Sequence, residues 1–103
     1  MGVELHAEAS EELSEAADWY EDRRRGLGAR FLVEARAVMD RIGVLPRSGA
    51  PWIHEEVPPG VRRMWLRSFP YSVVYITEPC LMAVAVAHDR RRPAYWSDRL
   101  PGR

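Results

Sequence analysis

Two amphipathic helical stripes follow one another with almost no chain between them, and this constrains the fold more than any other feature of the sequence. Apolar residues recur at helical spacing over residues 7–25 and again over residues 28–42. Gly26 supplies a left-handed exit from the first helix, and so short a connection predicts an antiparallel helical hairpin. Both stripes are too wide to be buried against each other alone, so a further layer must cover them. The stripes consist of Ala9, Leu13, Ala16, Ala17 and Tyr20, and of Leu27, Phe31, Leu32, Ala35, Val38, Met39 and Ile42.

Strand-like segments in the second half of the chain supply that layer. Residues 61–69, 71–77 and 81–87 are rich in β-branched, aromatic and aliphatic types and are separated by short turns, which predicts an antiparallel meander. Residues 3–6 alternate apolar and polar types and predict a short first strand, whereas residues 46–60 predict an irregular but ordered loop. This order predicts an α+β fold in which the helical hairpin packs on a three- to four-stranded antiparallel sheet. The apolar anchors expected to order the loop are Trp52, Ile53 and Val57.

Size and composition fit one soluble domain. A chain of 103 residues lies in the usual range for a single domain, so we expect residues 1–103 to form one unit. Apolar types make up 47% and charged types 29%, a globular balance that disfavours a disordered tail or a membrane protein. The first residues carry an acid and no apolar h-region, which predicts a cytoplasmic protein without a membrane segment. The net charge of zero hides a polarity, since residues 1–22 hold eight acids and no base whereas residues 61–103 hold eight arginines and three acids.

Motifs for metal, cofactor or nucleophilic chemistry are missing from the sequence. The single cysteine, Cys80, cannot form an internal disulfide and lies in an apolar stretch, where a packed thiol is the usual role. His6, His54 and His88 are far apart and lack metal-ligand spacing. The glycines on either side of Leu27 lack the third glycine of a phosphate-binding loop. The sequence therefore predicts neither a metal site nor a bound cofactor.

The tail, residues 88–100, is the least ordinary segment. It contains three consecutive arginines, and two large aromatic residues follow where no predicted strand requires them. Arginine and aromatic side chains together are typical of interfaces, so the tail is predicted to be an interaction surface. In the alternative interpretation, Trp96 and Leu100 fold back and cap the core.

Several short sequence motifs, in a fixed order, connect this pattern to a known family. They are Ala16-Ala17-Asp18-Trp19-Tyr20, Gly26-Leu27-Gly28-Ala29-Arg30-Phe31-Leu32, Arg62-Arg63, Phe69-Pro70-Tyr71-Ser72-Val73-Val74-Tyr75, and Ala85-Val86-Ala87-His88 followed by Arg90-Arg91-Arg92-Pro93-Ala94-Tyr95-Trp96. With them, the chain resembles the RelE/ParE toxin superfamily, and the final run is typical of ParE-like plasmid-stabilisation proteins. The resemblance covers nearly the whole chain.

The resemblance implies the toxin of a type II toxin–antitoxin pair, held inactive by a small antitoxin. ParE-type members poison DNA gyrase, whereas RelE-type members cut messenger RNA on the ribosome without a metal. RelE-type nucleases generally place an arginine where Ser72 stands here and another basic residue where Asp89 stands, so two cations needed for the transition state are missing. Tyr95 falls where the nuclease tyrosine falls, and His88 could act as an acid or base, so these two are the catalytic candidates. The alternative for His88 is a strand-end residue that hydrogen-bonds nearby backbone.

The missing cations favour a ParE-like toxin that inhibits DNA gyrase by binding and catalyses nothing. We expect it to form a hetero-oligomer with its antitoxin, which enters a groove between the helical hairpin and the sheet. The first alternative is a RelE-like ribosome-dependent endoribonuclease that draws its cations from Arg63, Arg67, Arg90 or Arg91, and the second is a member that is no longer toxic. The predicted target-facing residues are Arg90, Arg91, Arg92, Tyr95 and Trp96, and the predicted antitoxin-binding residues are Leu27, Phe31, Arg63, Trp65 and Arg67.

Overall fold

Residues 2–102, which the computed structural model describes, form two helices and five short strands. Helix α1 covers Ala7–Arg23 and helix α2 covers Leu27–Val44. The strands are β1 (Glu4–Leu5), β2 (Ala50–Pro51), β3 (Val61–Trp65), β4 (Tyr71–Ile76) and β5 (Met82–His88), and a 3-10 turn follows at Ser97–Arg99. The α+β class and the helical hairpin are thereby confirmed. Neither α1 nor α2 combines the length and the apolar character needed to cross a membrane.

The strands form one mixed sheet with the spatial order β1-β5-β4-β3-β2. The meander of β3, β4 and β5 is antiparallel, as predicted, whereas β1 joins the sheet parallel to β5. Strand β2 lies in the segment predicted to be a loop, where Ala50 and Pro51 pair with Arg63 and Arg62. A proline lacks the N–H that a central strand needs, so it fits the edge position. Strand β1 confirms the predicted first strand, and the sheet is larger than predicted because β2, with two residues of which one is a proline, leaves no strand pattern in the sequence.

Glu21 and two glycines build the tight turn between the helices. Helix α1 ends at Arg23, and Arg24 after it is extended, so α1 does not leave through a left-handed residue as predicted. Gly26 is left-handed, with a φ of 87°, but it caps the start of α2. The Glu21 carboxylate accepts hydrogen bonds from the N–H groups of Gly26 and Gly28, at 2.9 and 3.0 Å. An anionic group thus caps the amino terminus of α2, where the helix macrodipole favours it. Gly28 is required for close packing, because a Cβ there would collide with the backbone oxygen of Ala17.

The helical hairpin covers one face of the sheet with an aromatic cluster at its centre. Phe31 is fully buried, and its ring centroid lies 5.4 Å from that of Tyr20. Phe69 and Tyr71 pack edge-on against Phe31, at 5.1 and 5.0 Å. Such aromatic pairs each add about 0.5–1.5 kcal/mol beyond the burial of their surface. The sheet therefore covers most of the helical stripes as predicted, but the prediction is wrong for Leu32, which lies at the surface of α2.

A β-bulge in β5 helps the opposite face of the sheet to build a second core. Val74 pairs with Ala85 and Tyr75 pairs with Ala83, so Val84 is an extra residue in the register. Val84 and Ala85, although adjacent in sequence, then both belong to the core on the face away from the helices. The loop of residues 46–60, here called the proline-rich loop, and the tail cover this face. Its buried residues are Val57, Val61, Val74, Ile76, Val84, Ala85, Ala87, Trp96 and Leu100.

The proline-rich loop is anchored by a tyrosine as well as by apolar residues. The Tyr75 hydroxyl donates to the Pro46 carbonyl at 2.7 Å and accepts from the Gly49 N–H at 2.8 Å. Of the predicted apolar anchors, Val57 is buried. The prediction is wrong for Ile53, whose side chain lies at the loop surface with 93% of the residue exposed.

Candidate functional site

The tail crosses the second face of the sheet and buries its largest side chain there. Trp96 is fully buried, and its ring centroid lies 5.6 Å from that of Trp52. Leu100 is buried beside it in the same core. This placement corrects the prediction for Trp96, which has no surface to offer a target. The alternative, in which Trp96 and Leu100 cap the core, describes the structure, because the sheet has a second apolar face that needs a cover.

The three consecutive arginines of the tail are exposed. Arg90, Arg91 and Arg92 all lie at the surface. The Arg91 guanidinium lies 3.9 Å from the centre of the Tyr95 ring, a cation–π contact worth about 0.5–1 kcal/mol at an exposed site. This contact orders Arg91 on the tail. That these arginines face a target stays a prediction.

Glu12 of α1 fixes the tail through both of its carboxylate oxygens. The Tyr95 hydroxyl donates to Oε2 at 2.7 Å, and the two terminal nitrogens of Arg99 bind Oε1 and Oε2 at 2.9 and 3.1 Å. Oε1 also accepts from the Val86 N–H, and Arg99 donates to the Val84 carbonyl, both at 3.0 Å. Strand β1 pairs only with the first residues of β5. Glu12 and Arg99 therefore take the place of the missing neighbouring strand along the rest of that edge.

The pKa of Tyr95 follows from this environment. Burial raises the pKa of Tyr95 above its ordinary value of 10.0, and the hydrogen bond to the Glu12 carboxylate raises it further. The phenol is therefore neutral at physiological pH and is occupied as a donor. Tyr95, a catalytic candidate in the sequence analysis, therefore links the tail to α1 in the structure.

His88 ends strand β5 and supports the turn that follows. Its Nδ1 accepts a hydrogen bond from the Arg90 N–H at 3.0 Å, and its ring packs edge-on against Tyr71 at 5.0 Å. A half-buried position with these contacts agrees with the interpretation of His88 as a strand-end residue bonded to nearby backbone.

The Arg63 guanidinium lies between two indole rings, at 3.9 Å from the centre of the Trp52 ring and 4.5 Å from that of Trp65. We call these three side chains the Trp–Arg–Trp stack. Arg63 and Trp65 are two residues apart on β3 and so share a face of the sheet, while Trp52 follows strand β2. Burial lowers the pKa of Arg63, and the charge of Asp89 opposes this change. The sequence holds one signal for this arrangement, the spacing of Arg63 and Trp65, but nothing in it indicates that Trp52 completes the stack.

A groove of about 540 Å³ lies between α2 and the end of β3. We call it the α2–β3 groove. A second cavity of about 490 Å³ lies between α1 and the sheet, so two grooves separate the hairpin from the sheet, and that either one receives an antitoxin stays a prediction. The lining of the α2–β3 groove combines apolar surface with two arginines and one acid: Glu34, Ala37, Val38, Arg41, Met64, Trp65 and Arg67.

The five predicted antitoxin-binding residues do not form one surface. Trp65 and Arg67 line the α2–β3 groove, whereas Arg63 lies in the Trp–Arg–Trp stack next to it. Leu27 is half-buried against the helical core. The prediction is corrected for Phe31, because a fully buried ring has no surface to offer a partner.

A family model described as the ParE toxin of the type II toxin–antitoxin system, parDE, matches residues 3–93. The chain belongs to this family. A ParE-family chain is the toxin component of a type II toxin–antitoxin system, and its partner is an antitoxin. The match includes the helical hairpin, the meander and the three tail arginines. A search of the curated proteins gives no match for this chain.

In this ParE-family toxin, the two positions that carry cations in RelE-type nucleases have none. Ser72 is buried in β4, and Asp89 is an exposed anion. A cavity of about 190 Å³ beside them is nevertheless lined by Arg63, Arg91 and Arg92. Within residues 2–102, no three His, Cys, Asp or Glu side chains gather as potential metal ligands. The cavity therefore offers positive charge, while the hydroxyl of Tyr95 and the Nδ1 of His88 are held by other groups.

Proposed function

We propose that this ParE-family protein inhibits DNA gyrase by binding it, and that a cognate antitoxin neutralises it by forming a hetero-oligomer with it in the cytoplasm. The observation that supports this most directly is the position of the two catalytic candidates. Tyr95 donates its hydroxyl to Glu12, and His88 accepts from the Arg90 N–H. A metal-free nuclease needs both an available base and an available acid, and of these two side chains only the Nε2 of His88 is left for acid–base chemistry. A toxin that acts by occupying a surface needs neither.

The exposed arginines of the tail support a binding mechanism. Arg90, Arg91 and Arg92 lie on a segment that Trp96 and Glu12 hold against the sheet and against α1. A rigid segment loses little conformational entropy when it binds a partner. Guanidinium groups held in this way suit an acidic surface of the target.

The α2–β3 groove supports antitoxin binding next to this surface. Arg41 and Arg67 flank its apolar lining, and the outer side of α2 beside it exposes Val33 and Val44, at 67% and 75%. An amphipathic acidic segment could place apolar side chains in the groove and carboxylates against the arginines. We propose that the antitoxin binds the toxin here.

Gyrase supercoiling of relaxed plasmid by the antitoxin-free protein tests the proposed target. We expect supercoiling to stop near stoichiometric amounts of toxin and to resume when the antitoxin is added. The triple variant Arg90→Gln, Arg91→Gln and Arg92→Gln should lose this inhibition, whereas the matched triple variant of Arg23, Arg24 and Arg25 should keep it. Unchanged supercoiling at a large molar excess of folded toxin would contradict the proposal.

The cavity lined by Arg63, Arg91 and Arg92 favours one alternative, a ribosome-dependent endoribonuclease with a rearranged site. Primer extension on messages from cells that express the toxin decides between the two. Cuts at defined codon positions would support the nuclease, and growth arrest without such cuts would exclude it.

A further inference from the structure

The Arg63 guanidinium is held in one orientation but has no carboxylate partner in the described chain. The indole rings of Trp52 and Trp65 lie 3.9 and 4.5 Å from it. The ion pairs within residues 2–102 belong to Arg99, which binds Glu8 and Glu12. Arg63 is therefore a partly desolvated cation whose position is fixed by stacking. The edges of a stacked guanidinium carry its N–H donors, which match the two oxygens of a carboxylate or the oxygens of a phosphate.

The surroundings of the stack favour a protein segment over a nucleic acid. Bases bind to free aromatic faces, but the Trp52 ring is packed between Arg63 and Trp96. Beside the stack, Ile53 and Trp65 expose apolar surface, at 93% and 45%, which suits aliphatic side chains of a peptide.

Trp65 connects the stack to the α2–β3 groove, since it lines the groove and also packs on Arg63. A peptide that leaves the groove next to Arg67 therefore passes over Trp65 and reaches the Arg63 guanidinium. Arg63 also shares the lining of the small cavity with the tail arginines Arg91 and Arg92. The groove, the stack and the tail thus form one continuous surface, with several guanidinium groups and two acids, Glu34 in the groove and Asp89 beside the tail.

We propose that the Trp–Arg–Trp stack binds a carboxylate side chain from an acidic segment of the antitoxin, and that this segment thereby covers the tail arginines. The inference rests on the proposed function for its partner, and it adds the residue that anchors this partner and a mechanism of neutralisation. The antitoxin excludes the target because both need the same surface. Arg63 provides the charge and the two bonds, while Trp52 and Trp65 hold it in place.

Calorimetric titration of the toxin with the full-length antitoxin tests the anchor. Arg63→Gln should raise the dissociation constant by about 30-fold or more, because it removes a partly buried charge from a hydrogen-bonded pair. Arg63→Lys should raise it by about 10-fold or more, because a lysine lacks the planar pair of donors. The control Arg25→Gln removes the same charge from an exposed arginine in the hairpin turn, and its dissociation constant should stay within about twofold of the wild type.

Equal dissociation constants for Arg63→Gln and Arg25→Gln would overturn the inference. If Arg63→Gln fails to fold, the Nε–H resonance of Arg63 in the wild-type protein is followed by NMR instead. It should shift when antitoxin is added, and an unchanged resonance would again overturn the inference. A single-stranded RNA 12-mer is the second probe, and an Arg63-dependent affinity for it that exceeds that for the antitoxin would assign the stack to nucleic acid.

The gyrase assay separates this inference from the proposed function. If the toxin binds the antitoxin through Arg63 but leaves supercoiling unchanged, the proposed target is wrong and the anchor stands. If Arg63→Gln binds the antitoxin normally and still inhibits gyrase, only the anchor is wrong. Simultaneous binding of gyrase and antitoxin to one toxin molecule would overturn the mechanism of neutralisation.

Discussion

The two faces of the sheet are covered in different ways. On one face, two long helices pack an aromatic cluster around Phe31. On the other, a tail with little regular structure is held by buried Trp96 and by the polar contacts of Glu12 with Tyr95 and Arg99. The first cover rests on apolar burial spread over many residues, and the second rests on a few specific contacts. The segment that carries the proposed target surface is therefore the one whose position depends on individual side chains.

The largest expected effects come from truncating the central ring on each face. Phe31→Ala should lower the free energy of unfolding by about 3–5 kcal/mol, since it leaves a cavity in the aromatic cluster. For Trp96→Ala, the loss of free energy of unfolding should be about 1–3 kcal/mol smaller than the loss expected from the size of the ring. The reason is that the change also removes an indole N–H that is buried without a partner within residues 2–102. Urea unfolding measures both. A clearly larger loss for Trp96→Ala than for Phe31→Ala would show that the tail face is the stronger of the two.

Glu12→Gln should have the next largest effect, a loss of about 3 kcal/mol. The Arg99 side chain is only 8% exposed, so removing the charge of Glu12 leaves a buried cation without its main partner. Replacing both residues, in Glu12→Gln with Arg99→Met, should recover part of this loss. Glu15→Gln, at an exposed position on the same helix, is the control and should change the stability by less than about 0.5 kcal/mol. A loss below 1 kcal/mol for Glu12→Gln would mean that the tail is held by Trp96 alone.

Two glycines allow the same comparison with a smaller change. A Cβ at Gly28 would collide with the backbone oxygen of Ala17, and a Cβ at Gly49 would collide with the ring of Tyr75. Overpacking of this kind costs about 1–3 kcal/mol. Gly28→Ala should lie at the upper end, because two helix backbones must separate, and Gly49→Ala at the lower end, because a surface loop can move. Thermal unfolding of both variants measures the difference, and the reverse order would show that the loop on the tail face is the more rigid element.

The helical face was predictable from the sequence, because helical periodicity shows directly which side chains need a cover. The stripe that contains Phe31 and the stripe before it predicted the hairpin. The start and end of each helix lie within two residues of the predicted positions. The tail face was not predictable in the same way. Its core depends on the extra residue Val84 in the register and on Trp96 folding back, and neither leaves a periodic signal.

The role of Glu12 shows the same limit at the candidate site. In the sequence it is one of many acids on the polar side of the first helix. Its partners Val86, Tyr95 and Arg99 lie 74, 83 and 87 residues further along the chain. Local pattern cannot indicate contacts over such separations, so the tail arginines could be predicted as a surface but the residues that position them could not.

A similarly small effect, in Tyr95→Phe, tests whether the hydroxyl of Tyr95 contributes to the tail contact. At neutral pH the variant should lose about 1.5–3 kcal/mol, which is typical of a hydrogen bond to a charged group, and the value should lie near the lower limit because Arg99 still binds Glu12. The pH dependence is more specific. Burial first, and then Glu12, raise the pKa of Tyr95 above 10.0, so the folded state favours the neutral phenol. This contribution is fully present below pH 10 and is lost as the pH rises further.

The wild type should therefore lose stability above pH 10 more steeply than Tyr95→Phe does. Burial also raises the pKa values of Tyr20 and Tyr71, but both residues are present in the two proteins, so the difference between the two curves isolates Tyr95. Urea unfolding between about pH 8 and pH 11 gives both curves. Parallel curves would show that the tyrosine hydroxyl is not held by Glu12 in solution. The tail face would then depend on Trp96 and the Glu12–Arg99 pair alone, and Tyr95 would again be free to act on a substrate.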